Sequence, residues 1–118
     1  MRRKRINEYL LERVRDKNEK AKILGELSTV FYHAGELDKA LEFVEKALKI
    51  FEDMGNRIET VQTLMNIGDV FVLKSDKERA LDYYREAING LIQVYSRSMQ
   101  HEYLRILQLL LAVRAEFP

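Results

Sequence analysis

The chain has no cysteine and no tryptophan, a single proline and only five glycines in 118 residues. Without cysteine there is no disulfide, no thiolate metal site and no thiol nucleophile. With its one proline at the last position and so few glycines, the many turns of an all-β fold have little to be built from. Charge of one sign is missing too. Lys plus Arg is 20 and Asp plus Glu is 19, a formal net charge of +1, so no global field favours nucleic acid. Nor is there a long hydrophobic run. The most apolar stretch, residues 103–113, contains Arg105 and Gln108 and falls far short of the ~20 residues of a membrane-spanning helix. The basic start, Arg2-Arg3-Lys4-Arg5, runs into Glu8, Glu12 and Arg13 instead of the apolar segment of a signal peptide. What is present is a globular composition, 47% hydrophobic and 33% charged. A chain this size buries about 65% of its unfolded surface. These features predict one soluble, cytoplasmic, helical domain with no membrane partner.

The chain repeats itself every 40 residues. Leu24, Leu64 and Leu104 are in register, as are Leu27, Ile67 and Leu107, and Phe31, Phe71 and Leu111. Ala40 aligns with Ala80, Ala47 with Ala87, and Leu48 with Ile88. Asp16 and Asn56 are equivalent cap candidates, each with a Glu three residues on. Two helices per unit account for this. Helix A of the first unit places Leu24, Leu27, Phe31 and Ala34 on one face and ends at Gly35. Helix B places Leu37, Ala40, Leu41, Val44, Ala47, Leu48 and Phe51 on one face and ends at Gly55. In the second unit Ser75 to Glu78 reads as a capping box for helix B. The pattern predicts helices over 18–34, 37–54, 58–74 and 77–94. A lead helix precedes them near 2–15 and a terminal helix follows from about 98, six helices in all.

These residues resemble the tetratricopeptide repeat. Counting from Ala21, the family's large, Leu, small, aromatic, Gly, Ala, aromatic and Ala positions are Leu24, Leu27, Ser28, Phe31, Gly35, Ala40, Val44 and Ala47. Counting from Val61, they are Leu64, Ile67, Gly68, Phe71, Ser75, Ala80, Tyr84 and Ala87. Gly35 to Glu42 is similar to the family's central signature. The family's proline near position 32 is replaced by Glu52 and Ile92, and the period is 40 residues instead of the usual ~34. Both departures resemble the longer-helix subtype of kinesin light chains and bacterial peptide-sensing regulators. HEAT-type repeats are the structural rival, but they lack this pairing of small residues. The resemblance implies an all-α, right-handed superhelix of about six antiparallel helices: lead helix 1–17, repeats 21–60 and 61–100, and a partial repeat 101–118. It also implies that Ser28 meets Ala40 and Gly68 meets Ala80, where bulk would cost roughly 1–3 kcal/mol.

No catalytic motif is present: no P-loop, no glycine-rich dinucleotide loop, no nucleophile elbow and no zincin helix. His33 and His101 stand apart, so neither an enzyme nor a metal or cofactor is expected. His33, near a helix C-terminus, suits the helix dipole. The resemblance instead implies a non-enzymatic protein–protein interaction module that binds a peptide or partner helix in a groove lined by the A helices. Chaperone-binding members clamp a C-terminal carboxylate with Lys and Asn from their first helices. The first-unit positions here are Gly25 and Thr29, so no clamp is expected. The partner-binding candidates are Tyr32, His33, Met65, Asp69, Val72 and Leu73, with Met65 and Leu73 as apolar anchors. Two other readings remain open, a peptide-sensing regulatory fragment and a nucleic-acid-associated repeat using the basic N-terminus.

The last helix is apolar over most of its circumference. Its sequence suggests Tyr103, Leu104, Leu107, Leu110 and Leu111 as the packed stripe. Ile106, Leu109, Leu110, Val113 and Phe117 are then the candidates for self-association as a homodimer. Cover by the lead helix or by a longer parent chain are the alternatives.

Overall fold

A computed structural model describes residues 2–13, 15–94 and 100–116. Six helices occupy them: α1 (Arg2–Arg13), α2 (Lys17–His33), α3 (Leu37–Asp53), α4 (Arg57–Leu73), α5 (Lys77–Val94) and α6 (Gln100–Glu116). No strand occurs among the described residues, and the ends of α2 to α5 lie within one residue of their expected places; the lead helix ends short of residue 15, and the expected start of the last helix near residue 98 lies outside the described residues. The chain divides into two compact units, Met1–Gly55 and Asn56–Pro118.

The first unit is built on the α2–α3 hairpin. Ala21 and Leu24, early in α2, share a buried cluster with Ala47 and Phe51, late in α3, so the helices run antiparallel. Nearer the turn, Ser28 Oγ donates to the Ala40 carbonyl at 2.8 Å, the close approach that the small residue was expected to permit. α1 lies against α2 and adds half-buried Leu11 to the cluster. Its residues Ile6, Tyr9 and Leu10 stay exposed.

The second unit repeats this hairpin in α4–α5 and adds α6, which packs on α5. Its antiparallel register is fixed by Val61 against Gly90 at one end and Gly68 against Tyr84 at the other. At Gly68 the close neighbour is Tyr84 of α5. A Cβ there would sit 2.5 Å from Tyr84 Cε1, so the Tyr84 ring occupies the space that a side chain at 68 would need.

The turns of the two hairpins copy each other at a spacing of 40. The Ala34, Gly35 and Glu36 amides donate to the Val30, Tyr32 and Phe31 carbonyls; Lys74, Ser75 and Asp76 do the same to Val70, Val72 and Phe71. Phe31 stacks on Phe43 at 5.3 Å and Phe71 on Tyr83 at 5.6 Å. Lys39 lies over Phe31 as Arg79 lies over Phe71. Asp16 accepts from the Glu19 amide and Asn56 from the Glu59 amide, so both expected caps form.

One cap differs from the sequence reading. Ser75 is not the N-cap of α5. It adopts φ 60°, the left-handed conformation that Gly35 holds at 78° in the first hairpin, and so terminates α4. The cap passes to Asp76, whose Oδ1 accepts from the Arg79 amide at 3.1 Å. The reason is spatial: the three-residue connection needs a left-handed residue at its second position, and a residue there cannot also cap the next helix.

α6 is turned relative to expectation. Ile106 and Val113 are buried, at 1% and 5% exposure, whereas Leu104 and Leu111, expected in the packed stripe, are exposed. No helix covers the Leu104–Leu111 side among the described residues, so α6 is free to bury the stripe that fits its neighbour best. That stripe carries the β-branched pair.

Candidate functional site

α4 lays Gln62, Met65, Asn66, Asp69, Val72 and Leu73 along one face, at spacings of three and four residues. Gln62, Asn66 and Leu73 are exposed, Asp69 and Val72 are half-buried, and Met65 is buried. Met65 is closed off by α6: the Arg105 Nη2 lies 3.8 Å from its sulfur, while Arg105 Nε is held by Glu102 at 3.2 Å. Of the two apolar anchors expected here, only Leu73 presents its side chain to solvent.

Asp69 is held from the side. The buried Tyr84 hydroxyl donates to Asp69 Oδ1 at 2.5 Å, reaching across from α5. Burial raises the Asp69 pKa above the ordinary carboxylate value; the Tyr84 hydrogen bond and the Arg105 charge oppose that rise without cancelling it. Asp69 is therefore a fixed acceptor with its rotamer set, beside the guanidinium of Arg105. Sequence reasoning picked out Asp69 but not its partner. The signal was present, since Gly68 and Tyr84 together replace the Ser28 and Val44 of the first repeat. A glycine opposite an enlarged residue marks a ring that has crossed to the neighbouring helix.

In the first unit Tyr32 is half-buried and His33 exposed at the end of α2, their rings edge to face at 5.3 Å. Gly25 has open space where a side chain would stand, and the Thr29 hydroxyl donates back to the Gly25 carbonyl at 3.1 Å. That bond satisfies Thr29 locally and leaves this stretch of α2 with a shallow surface. On α6, Leu109 and Leu110 are half-buried and Ile106 and Val113 are buried. Phe117, the last self-association candidate, lies outside the described residues.

The doubled hairpin, with its small-residue crossings and paired left-handed turns, matches the tetratricopeptide-repeat family over residues 19–93. The chain belongs to that family. Two photosystem I assembly proteins, both called Ycf3, are among the relatives of this tetratricopeptide-repeat chain. They come from Prochlorococcus marinus strains NATL1A and NATL2A and are 37% and 35% identical over 54 residues, 46% of this chain. The match spans 30% of the length of each. Among solved structures, BtubC (BKLC) from P. vanneervenii shares the fold with a TM-score of 0.61 at 24% identity. That match covers 88% of this chain and 49% of the other. Among the described residues, no helix of the repeat is long and apolar enough to cross a membrane.

Proposed function

We propose that this tetratricopeptide-repeat chain is a non-catalytic interaction module that binds another protein through the A helices, with α4 as the principal contact. The observation that carries the reading is the α4 face. Gln62 and Asn66 offer amides, Asp69 a pre-oriented acceptor, Arg105 a neighbouring cation, and exposed Leu73 an apolar anchor at the helix end. A large apolar residue beside satisfied, oriented polar groups suits a peptide or partner helix docked along a helix face. An assembly role, the function printed in the names of the two Prochlorococcus relatives, agrees with such a module. Tyr32 and His33 on α2 provide a second set of contacts of the same kind.

Affinity capture from native extract tests the reading, comparing the wild-type chain with Leu73→Glu. Loss of the anchor is expected to reduce recovery of the bound protein by about tenfold, with circular dichroism unchanged. Equal recovery by both chains rejects α4 as the contact.

A further inference from the structure

The first helix carries a surface that the α4 reading does not use. Ile6, Tyr9 and Leu10 of α1 are 51%, 55% and 41% exposed. They fall in two adjacent rows at a spacing of four residues, Ile6 and Leu10 in one, exposed Arg5, Tyr9 and Arg13 in the other. The Arg13 guanidinium lies 3.7 Å over the Tyr9 ring. Helical spacing turns Glu8 and Glu12 away from both rows. Repeat packing does not account for this face. α1 ends at Arg13, three residues before the Asp16 cap, as α3 ends at Asp53, three before the Asn56 cap. In that register Ile6 and Tyr9 stand where α3 has Lys46 and Lys49 and where α5 has Glu86 and Asn89, all four exposed. α5 is packed by both α4 and α6 and still leaves its two residues in solvent. A neighbour packed on α1 in the same way would leave Ile6 and Tyr9 uncovered. The charge is reversed as well. α1 has five basic and two acidic residues, whereas residues 42–53 of α3 have two basic and four acidic, and 82–93 of α5 have one basic and two acidic.

We propose that this face of α1 docks on an anionic phospholipid surface. Ile6 and Leu10 enter the acyl boundary, and Tyr9 lies at headgroup level, where an amphipathic ring is favoured. Arg5 and Arg13 flank it and reach the anionic headgroups. The run Arg2 to Arg5 adds a cluster of four cations, the kind of basic segment that an anionic leaflet attracts. Nucleic acid fits this face less well. Ile6 and Leu10 offer it no hydrogen bond, and the one ring available for stacking, Tyr9, is already covered by Arg13. The contact is peripheral: α1 has 12 residues, and no helix among the described residues is long and apolar enough to cross a membrane. The sequence expectation of no membrane partner rested on the lack of a spanning segment and on a net charge of +1, which conceals the local excess in α1.

Flotation of the purified full chain with vesicles tests the proposal. The chain should rise with phosphatidylcholine vesicles that carry phosphatidylserine and stay below with phosphatidylcholine alone. Raising the salt to about 0.5 M should release it. Arg5→Gln with Arg13→Gln, and separately Ile6→Ser with Leu10→Ser, should each weaken binding about tenfold or more. Circular dichroism should not change, because all four positions are exposed. Hydrogen exchange locates the contact without any variant. Phosphatidylserine vesicles should slow the α1 amides about tenfold or more and leave those of α4 and α5 as they were. No flotation with anionic vesicles overturns the proposal, as does equal flotation with neutral ones. So does an Ile6→Ser, Leu10→Ser chain that floats like wild type, since the contact would then be charge alone. Tighter binding of a labelled RNA oligonucleotide than of the vesicles at the same salt would assign the face to nucleic acid and overturn it too. The result is separable from the α4 reading. Leu73→Glu should float like wild type, and the Ile6→Ser, Leu10→Ser chain should still capture the α4 partner.

Discussion

Burial perturbs the Asp69 carboxylate, and its energetics have a definite sign. Its folded pKa is raised, mainly by burial, so the folded state holds the Asp69 proton more tightly than the unfolded chain does. The contribution of this residue to stability is therefore fully present below the ordinary carboxylate value. It is lost as pH rises from that value through the raised one. Asn at this position keeps an acceptor for the Tyr84 hydroxyl and removes the ionisation. Asp69→Asn is thus expected to gain stability relative to wild type as pH rises across that window and to hold the gain at neutral pH. Urea titrations of both chains at a series of pH values read this directly. A difference that stays constant with pH would show that Asp69 ionises as freely in the folded state as in the unfolded one.

At the scale of the element, the two hairpins solve one packing problem in two ways. Where α2 crosses α3, the Ser28 hydroxyl bonds the Ala40 carbonyl, and the position equivalent to Tyr84 is the smaller, buried Val44. Where α4 crosses α5, Gly68 gives up its side chain and Tyr84 fills the gap. The pairs should therefore be exchangeable as pairs but not singly. Gly68→Ser alone drives a side chain into the Tyr84 ring and is expected to cost about 1–3 kcal/mol of unfolding free energy. Gly68→Ser with Tyr84→Val rebuilds the first hairpin's crossing and should recover much of that loss. The recovery would appear as a favourable coupling in a double-mutant cycle, and additive losses would refute the exchange. The existence of these crossings was legible in the sequence, because small residues recur at a spacing of 40 opposite alanines. Their detail was not. A one-dimensional alignment places Gly68 opposite Ala80 but cannot show that Tyr84 leans across to take the room. The same limit explains Ser75, which has the composition of a cap but sits where the turn demands a left-handed residue.

At the scale of the whole molecule, periodicity reveals a helix's apolar faces but not always which one is packed. For α2, α3 and α5 one face is apolar and the burial pattern follows from it, whereas α4 is buried over a wider arc that takes in Met65. α6 has two apolar faces, and the choice between them depends on its neighbours in space, which helical periodicity alone does not specify. Stability should be distributed accordingly. α2 to α5 each bury at least four side chains, many of them large, and their helix ends are tied by shared hydrogen bonds. α1 is 12 residues long, contributes half-buried Leu11 to the first unit's cluster, and leaves Ile6, Tyr9 and Leu10 exposed. Helices of this length are marginal in water without packing. Native-state hydrogen exchange should therefore find the amides of α1 opening at low free energy, through local fraying. The central amides of α2 to α5 should exchange only through larger openings, orders of magnitude more slowly. Uniform protection from α1 through α5 would mean that α1 is held by contacts beyond Leu11. Leu11→Ala separates the two cases: it should speed exchange in α1 while leaving the α4 and α5 amides unchanged.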